Sequence, residues 1–180
     1  MKTYGSEPGA PTPQQVQVGI SEFVVTDADT TLKSYGLGSC LAVALYDDEA
    51  EVGGLAHVML PSGDEAGSEP TNPGKFADTA IRAMLRRMVE EGATYTDVEA
   101  KIAGGSDMFE FESFGEGVGD RNVEAAKAEL EKLGVPLVAE DVGGRKGRTV
   151  EFNATTGVLT ITIADGDVEG DVDGDGVVEL

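Results

Sequence analysis

The sequence predicts a single mixed α/β (α+β) domain. Three observations carry that expectation: the length, the alternation of short apolar runs with two helical periodicities, and the order in which these occur. At 180 residues the chain suits one domain with a real core and is short for two. The order is strands, helix, strand, helix, strands, which favours a mixed sheet system over a doubly wound parallel sheet. About six or seven strands and two main helices are expected.

In chain order, residues 1–15 hold three prolines, glycine and polar residues and read as a flexible leader. Residues 16–25 alternate apolar and polar, with Val16, Val18 and Ile20 on one side, as a half-buried strand does. Residues 41–46 and 52–60 are two apolar runs separated by Asp47, Asp48 and Glu49, with Pro61 after them, and read as a β-hairpin. Residues 62–74, rich in Gly, Ser, Pro and acid, read as an exposed loop. Across residues 75–91, Phe76, Ala80, Met84 and Met88 recur every fourth position, and Gly92 is placed to end the helix. Residues 98–103 read as a strand leading into Gly104-Gly105. Residues 122–133 read as the second helix, with Val123, Ala126, Leu130 and Leu133 inward, Asn122 as its cap and Gly134 as its stop. Residues 137–142, 148–152 and 158–163 read as three further strands. This divides the chain into a leader (1–15), a domain (16–163) and an acidic, unstructured tail (164–180).

Charge excludes several functions. The chain carries 34 acidic and 13 basic residues, net −21 at pH 7. Binding to nucleic acid or to an anionic membrane would be opposed by that charge. The acid is spread along the chain, a pattern that keeps a protein soluble in concentrated salt, so a halophilic cytoplasm is the expected setting. No run of about 18 apolar residues is present, and the first residues lack the basic start and apolar stretch of a secretion signal.

The chain has one cysteine, and its one histidine is His57. An internal disulfide is therefore impossible, and no structural zinc site can be built from them. Cysteine chemistry with an imidazole base, if present, must use Cys40 and His57. The string Gly36-Leu37-Gly38-Ser39-Cys40 opens the first hairpin strand. Its glycines permit turns that bring main-chain N–H groups close to a substrate. The N–H groups of Gly38, Ser39 and Cys40 are candidate oxyanion donors. A hairpin turn centred between Asp48 and Glu49 would set Cys40 opposite His57, on the same face. A cysteine and a histidine in apolar strands are also what an ordinary core contains, and these observations alone leave the two readings level.

At these residues the sequence resembles the chemoreceptor glutamine deamidase family, CheD. The similar strings are Tyr35-Gly-Leu-Gly-Ser-Cys-Leu-Ala-Val-Ala-Leu-Tyr-Asp47, Gly53-Gly-Leu-Ala-His-Val-Met-Leu-Pro61 and Phe76-Ala-Asp-Thr-Ala-Ile81. They continue with Ala100-Lys-Ile-Ala-Gly-Gly-Ser-Asp-Met108, Gly119-Asp-Arg-Asn-Val123 and Asp141-Val-Gly-Gly-Arg-Lys-Gly-Arg148. They occur in the family's order across residues 16–163. The resemblance implies a layered α/β/β sandwich and hydrolysis of receptor glutamine side chains to glutamate with release of ammonia, without metal or cofactor. It implies Cys40 as nucleophile, His57 as general base and acid, and Ser34 as the hydroxyl that orients His57, where the family often carries threonine. It also implies a CheC-type chemotaxis phosphatase as a partner.

Other features point to contacts rather than chemistry. Arg145, Lys146 and Arg148 concentrate positive charge in an acidic chain and form a candidate docking site; the alternative is a solvated turn. Met108 and Phe109, after the Gly104-Gly105 pair, are either a partner contact or core. Asp171-Val-Asp173-Gly-Asp175-Gly176 matches the start of a calcium-binding EF-hand loop, but the sequence stops before that loop's twelfth position, and an acidic tail is the expected reading. The competing functional class is a non-catalytic adaptor that binds the receptor or the phosphatase and has no use for the thiol.

Overall fold

The computed structural model describes residues 14–27, 29–66, 71–107, 117–164 and 176–180. Ten strands form two sheets: β1 (Gln14–Gln17), β2 (Phe23–Thr26), β3 (Thr30–Leu37), β4 (Leu41–Asp47), β5 (Val52–Val58), β6 (Val98–Gly104), β7 (Leu137–Val142), β8 (Arg148–Asn153), β9 (Leu159–Ile163) and β10 (Val177–Glu179). Helix α1 (Ala77–Glu90) lies between β5 and β6, and α2 (Val118–Leu133) between β6 and β7. One sheet runs β1-β3-β8-β9-β10 and the other β2-β5-β4-β6-β7. Each mixes one parallel pair, β1 with β3 or β6 with β7, with antiparallel neighbours, so the expected mixed system is present.

The central strands β4 and β5 are buried on both faces, which explains why they read as continuous apolar runs rather than alternating ones. Val43, Leu45, Ala56 and Val58 face Ile81, Met84, Met88 and Leu130 of the helices. Ala42, Ala44 and Leu55 face the other way, onto Leu32, Phe152, Leu159 and Ile161 of the second sheet. Helices, sheet and sheet thus stack as the α/β/β layers that the resemblance implies. Small residues let the two sheets approach. A methyl group on Gly53 would sit 2.8 Å from the Phe152 ring.

Several expectations are corrected. Residues 16–25 are not one strand. β1 and β2 belong to different sheets, and the chain turns between them with Ser21 at φ 65°. No strand is predicted over residues 30–37, yet β3 is there. Its inward positions include Thr30 and Ser34, and that polar content hides the period. Helix α2 starts at Val118, four residues before the expected cap, with Gly117 as N-cap. Gly134 ends it in the left-handed conformation, φ 71°, as expected. Within the predicted unstructured tail, residues 177–179 pair antiparallel with β9. The remainder of the EF-hand-like stretch, residues 171–175, lies outside the described residues.

Candidate active site

Three elements from two sheets build the site. Ser34 lies on β3, and its side chain points between the sheets with 0% exposure. His57 lies on β5, 1% exposed, with its main chain clasped by Glu22 O (3.0 Å) and Ser21 N (2.9 Å). Ser34 Oγ is 2.6 Å from His57 Nδ1 and donates to Val18 O at 2.8 Å. A hydroxyl has one proton, and a carbonyl only accepts. The Ser34 proton therefore goes to Val18, and the oxygen lone pair accepts from Nδ1–H. That assignment leaves the lone pair of His57 on Nε2, which is buried and has no hydrogen-bond partner among the described residues. Burial pushes the imidazole below its ordinary pKa, with the Val18 carbonyl opposing in part.

Cys40 ends the loop before β4 and is half-buried. The hairpin register differs from the expected one by two residues: His57 faces Ala42, and Asp47 faces Val52. The turn takes residues 48–51, because the Asp47 carboxylate accepts from Glu49 N (3.1 Å) and Ala50 N (3.0 Å) and Glu51 adopts φ 52°. A slip of two preserves the face, whereas a slip of one would reverse it. Cys40, one residue before the ladder, therefore falls diagonal to His57 when the register is continued, on the inter-sheet side. Burial raises the Cys40 thiol above its ordinary pKa. Burial thus favours the neutral form of both the Cys40 thiol and the His57 imidazole.

The loop carrying Cys40 is held by its carbonyls. Gly38 O accepts from Ser106 N and Ser106 Oγ, both at 2.9 Å. Ser39 O accepts from Asn122 Nδ2 at 2.8 Å, and Cys40 O from Gly105 N at 2.8 Å. Of the three candidate oxyanion donors, Gly38 N–H is already turned onto Gly36 O at 3.1 Å. Ser39 and Cys40 N–H have no backbone partner among the described residues. The glycines under the loop are required by space: a methyl group on Gly104, at φ 110°, would stand 2.6 Å from Cys40 O.

The remaining predicted residues fall into three groups. Arg148 is not a docking residue. It is 7% exposed, pairs with Asp141 at 3.4 Å, and donates to Gly143 O (3.0 Å) and Gly104 O (3.3 Å), buttressing the turn beneath Cys40. Arg145 and Lys146 are exposed on the turn before β8. Met108 and Phe109 lie outside the described residues. Sequence reasoning misses Ser106 and misassigns Asn122. Both stand in strings that carry the family resemblance, but nothing in their spacing points toward Cys40. Among the described residues no group of His, Cys, Asp and Glu is placed to hold a metal, and no helix is long and apolar enough to cross a membrane.

Comparison with known proteins follows the same direction. Residues 59–163 match the family described as CheD chemotactic sensory transduction. A protein of Haloarcula marismortui named "Probable chemoreceptor glutamine deamidase CheD" is 44% identical over 93% of this chain and 98% of its own. That coverage takes in Ser34, Cys40 and His57. The chemoreceptor glutamine deamidases CheD of Halalkalibacterium halodurans and Thermotoga maritima are 43% and 45% identical, over 86% and 80% of this chain and 97% and 88% of theirs.

Proposed function

We propose, from the premise that this chain belongs to the CheD family, that it hydrolyses glutamine side chains of chemotaxis receptors to glutamate, with Cys40 as nucleophile, His57 as base and acid, and Ser34 as the orienting hydroxyl. The observation that carries the mechanism is the Ser34–His57 hydrogen bond of 2.6 Å, with Nε2 buried and without a hydrogen-bond partner among the described residues.

The steps follow from those atoms. Nε2 takes the thiol proton as sulfur bonds to the glutamine Cδ, and the carbonyl π electrons move to oxygen. The N–H groups of Ser39 and Cys40 meet that oxyanion. As the intermediate collapses, the C–N bond breaks and the imidazolium returns its proton to the departing ammonia, leaving a thioester on Cys40. Nε2 then deprotonates water, which attacks the thioester. The C–S bond breaks, glutamate leaves, and the thiolate recovers its proton from His57. Because burial favours the neutral form of both groups, the proton moves during attack, so the tautomer set by Ser34 and Val18 matters.

We place the protein in the cytoplasm, where receptor signalling domains are exposed, and assign the exposed Arg145 and Lys146 to contact with a partner, a CheC-type phosphatase being the one the resemblance implies. The test of function is product analysis on a receptor cytoplasmic fragment in high salt. Deamidation gives ammonia and an amide-to-acid mass change at particular glutamines. Methanol release or chain cleavage would instead identify an esterase or a protease. Binding without any product would make the protein an adaptor.

A further inference from the structure

Cys40 and His57 come from different segments, and Cys40 stands outside the β4–β5 ladder. Some other contact must set the height of the nucleophile loop against the strand that carries the base. One side chain touches both. Asn122, the fifth residue of α2, donates through Nδ2 to Ser39 O at 2.8 Å and to Met59 O at 3.2 Å. Ser39 precedes Cys40, and Met59 follows His57 by two residues. A carboxamide nitrogen has two hydrogens, and both are used. Since both neighbours are carbonyls, only the nitrogen can face them.

Two further observations separate this residue from an ordinary helix position. Asn122 is 0% exposed, and its Oδ1 is buried without a partner among the described residues. An unpaired buried acceptor costs stability, so an apolar side chain would serve the packing better. The approach of α2 is also unusually close. A methyl group on Gly119, three residues earlier, would stand 2.6 Å from Gly105 O and 2.8 Å from Ser106 O. Only glycine there lets the helix press on the turn that supports Cys40 and brings Asn122 within reach of Ser39.

We propose that Asn122 is a positioning residue for deamidation: it bridges the carbonyls of Ser39 and Met59 and so fixes the separation of the Cys40 thiol from His57 Nε2. This rests on the assignment of Cys40 and His57 as the reacting pair. A misplacement of reacting groups by about 1 Å can cost about a hundredfold in rate, and a two-pronged bridge controls a distance of that size.

The experiment uses the full chain in high salt and four proteins: wild type, Asn122→Ala, His57→Ala and the double variant. Two quantities are measured: the pH dependence of Cys40 alkylation by iodoacetamide, and kcat and KM on the receptor fragment. Asn122→Ala should slow alkylation near neutral pH by about tenfold or more and lower kcat, with KM nearly unchanged. In the His57→Ala background, where no base remains to be positioned, the same substitution should change alkylation by less than about twofold. Equal slowing in both backgrounds would overturn the proposal, as would unchanged alkylation with a lower melting temperature. A raised KM at unchanged kcat would move Asn122 to receptor contact and overturn it as well. If the alanine variant does not fold, Asn122→Asp keeps the shape while removing the two-hydrogen donor. Failure of both to fold assigns the residue to the fold and also overturns the proposal. Loss of receptor deamidation by wild type, with the His57-dependent effect of Asn122 intact, would sink the functional reading and leave the positioning role standing.

Discussion

A serine hydroxyl has a single proton, and its destination decides what His57 can do. Donation to Val18 O at 2.8 Å makes Ser34 an acceptor for Nδ1–H and puts the basic lone pair on Nε2. Ser34→Ala removes that control, and kcat is expected to fall by about 10- to 100-fold, a share of what a well-placed general base supplies. Ser34→Thr keeps the hydroxyl and restricts its rotamer, and activity within a few-fold of wild type is expected. Steady-state kinetics on a receptor fragment checks both. The pH dependence follows from the same ring. As the proposed base His57 must be neutral, and burial lowers its pKa from the ordinary 6.5, so the acid limb of kcat/KM should lie below pH 6.5. Stability carries the same sign. The unfolded chain binds the His57 proton more readily, so this contribution is whole above pH 6.5 and is lost as pH falls through the lowered folded value. Denaturant titrations between neutral pH and about pH 5.5 should show His57→Gln losing less stability than wild type. At this scale Cys40 and His57 are the candidates that the sequence offers for thiol chemistry, because the chain has no second thiol or imidazole. Ser34 is legible only through family resemblance, since its strand is disguised by inward Thr30 and Ser34. Asn122 looks like a helix cap, because sequence spacing along α2 says nothing about which loop the helix meets.

Between residues and the whole stand the hairpin and the loop that opens it. The hairpin's existence is plain in the sequence, and its register is off by an even number, so the face carrying His57 is right while the facing partner is wrong. The error has a physical source. The Asp47 carboxylate caps the turn through two N–H groups, and two more residues enter the loop on the β5 side. The loop carrying Cys40 depends on the turn after β6 and on α2 more than local sequence suggests. Gly38, Ser39 and Cys40 each offer a carbonyl to a donor from residues 105, 106 or 122. Gly104 lies under all of this at φ 110°, where a methyl group meets Cys40 O at 2.6 Å. Gly104→Ala is expected to destabilise the chain by about 1–3 kcal/mol through backbone strain and to lower kcat further than the unfolded fraction explains, because relief of the clash moves Cys40. Thermal unfolding and activity at a temperature where the variant is folded separate the two effects.

For the whole molecule the dominant physical quantity is charge. A net −21 at pH 7 produces self-repulsion that salt relieves, since the screening length falls from about 10 Å at about 0.1 M to about 3 Å at 1 M. The melting temperature should rise by at least about 5 °C from about 0.1 M to 2 M KCl. A flat or falling midpoint would mean that the acid is arranged for contacts rather than for a saline medium. The mixed α/β content is legible in the sequence, because β4 and β5 read as apolar runs and the helices carry clear periods, whereas the layering is implied only by the family resemblance. The assignment of strands to sheets was not, because β1 and β2 look continuous until Ser21 turns the chain. The two sheets bring Ser34 across to His57, and α2 closes the site from behind, so the account stands or falls on the thiol at their edge. Its most direct test is acid-quenched intact mass spectrometry of wild type and Cys40→Ala mixed with a receptor fragment. The account predicts a transient receptor adduct on Cys40 that forms with ammonia release and decays to a glutamate product, with neither adduct nor product for Cys40→Ala. Glutamate formation at an undiminished rate by Cys40→Ala would contradict it.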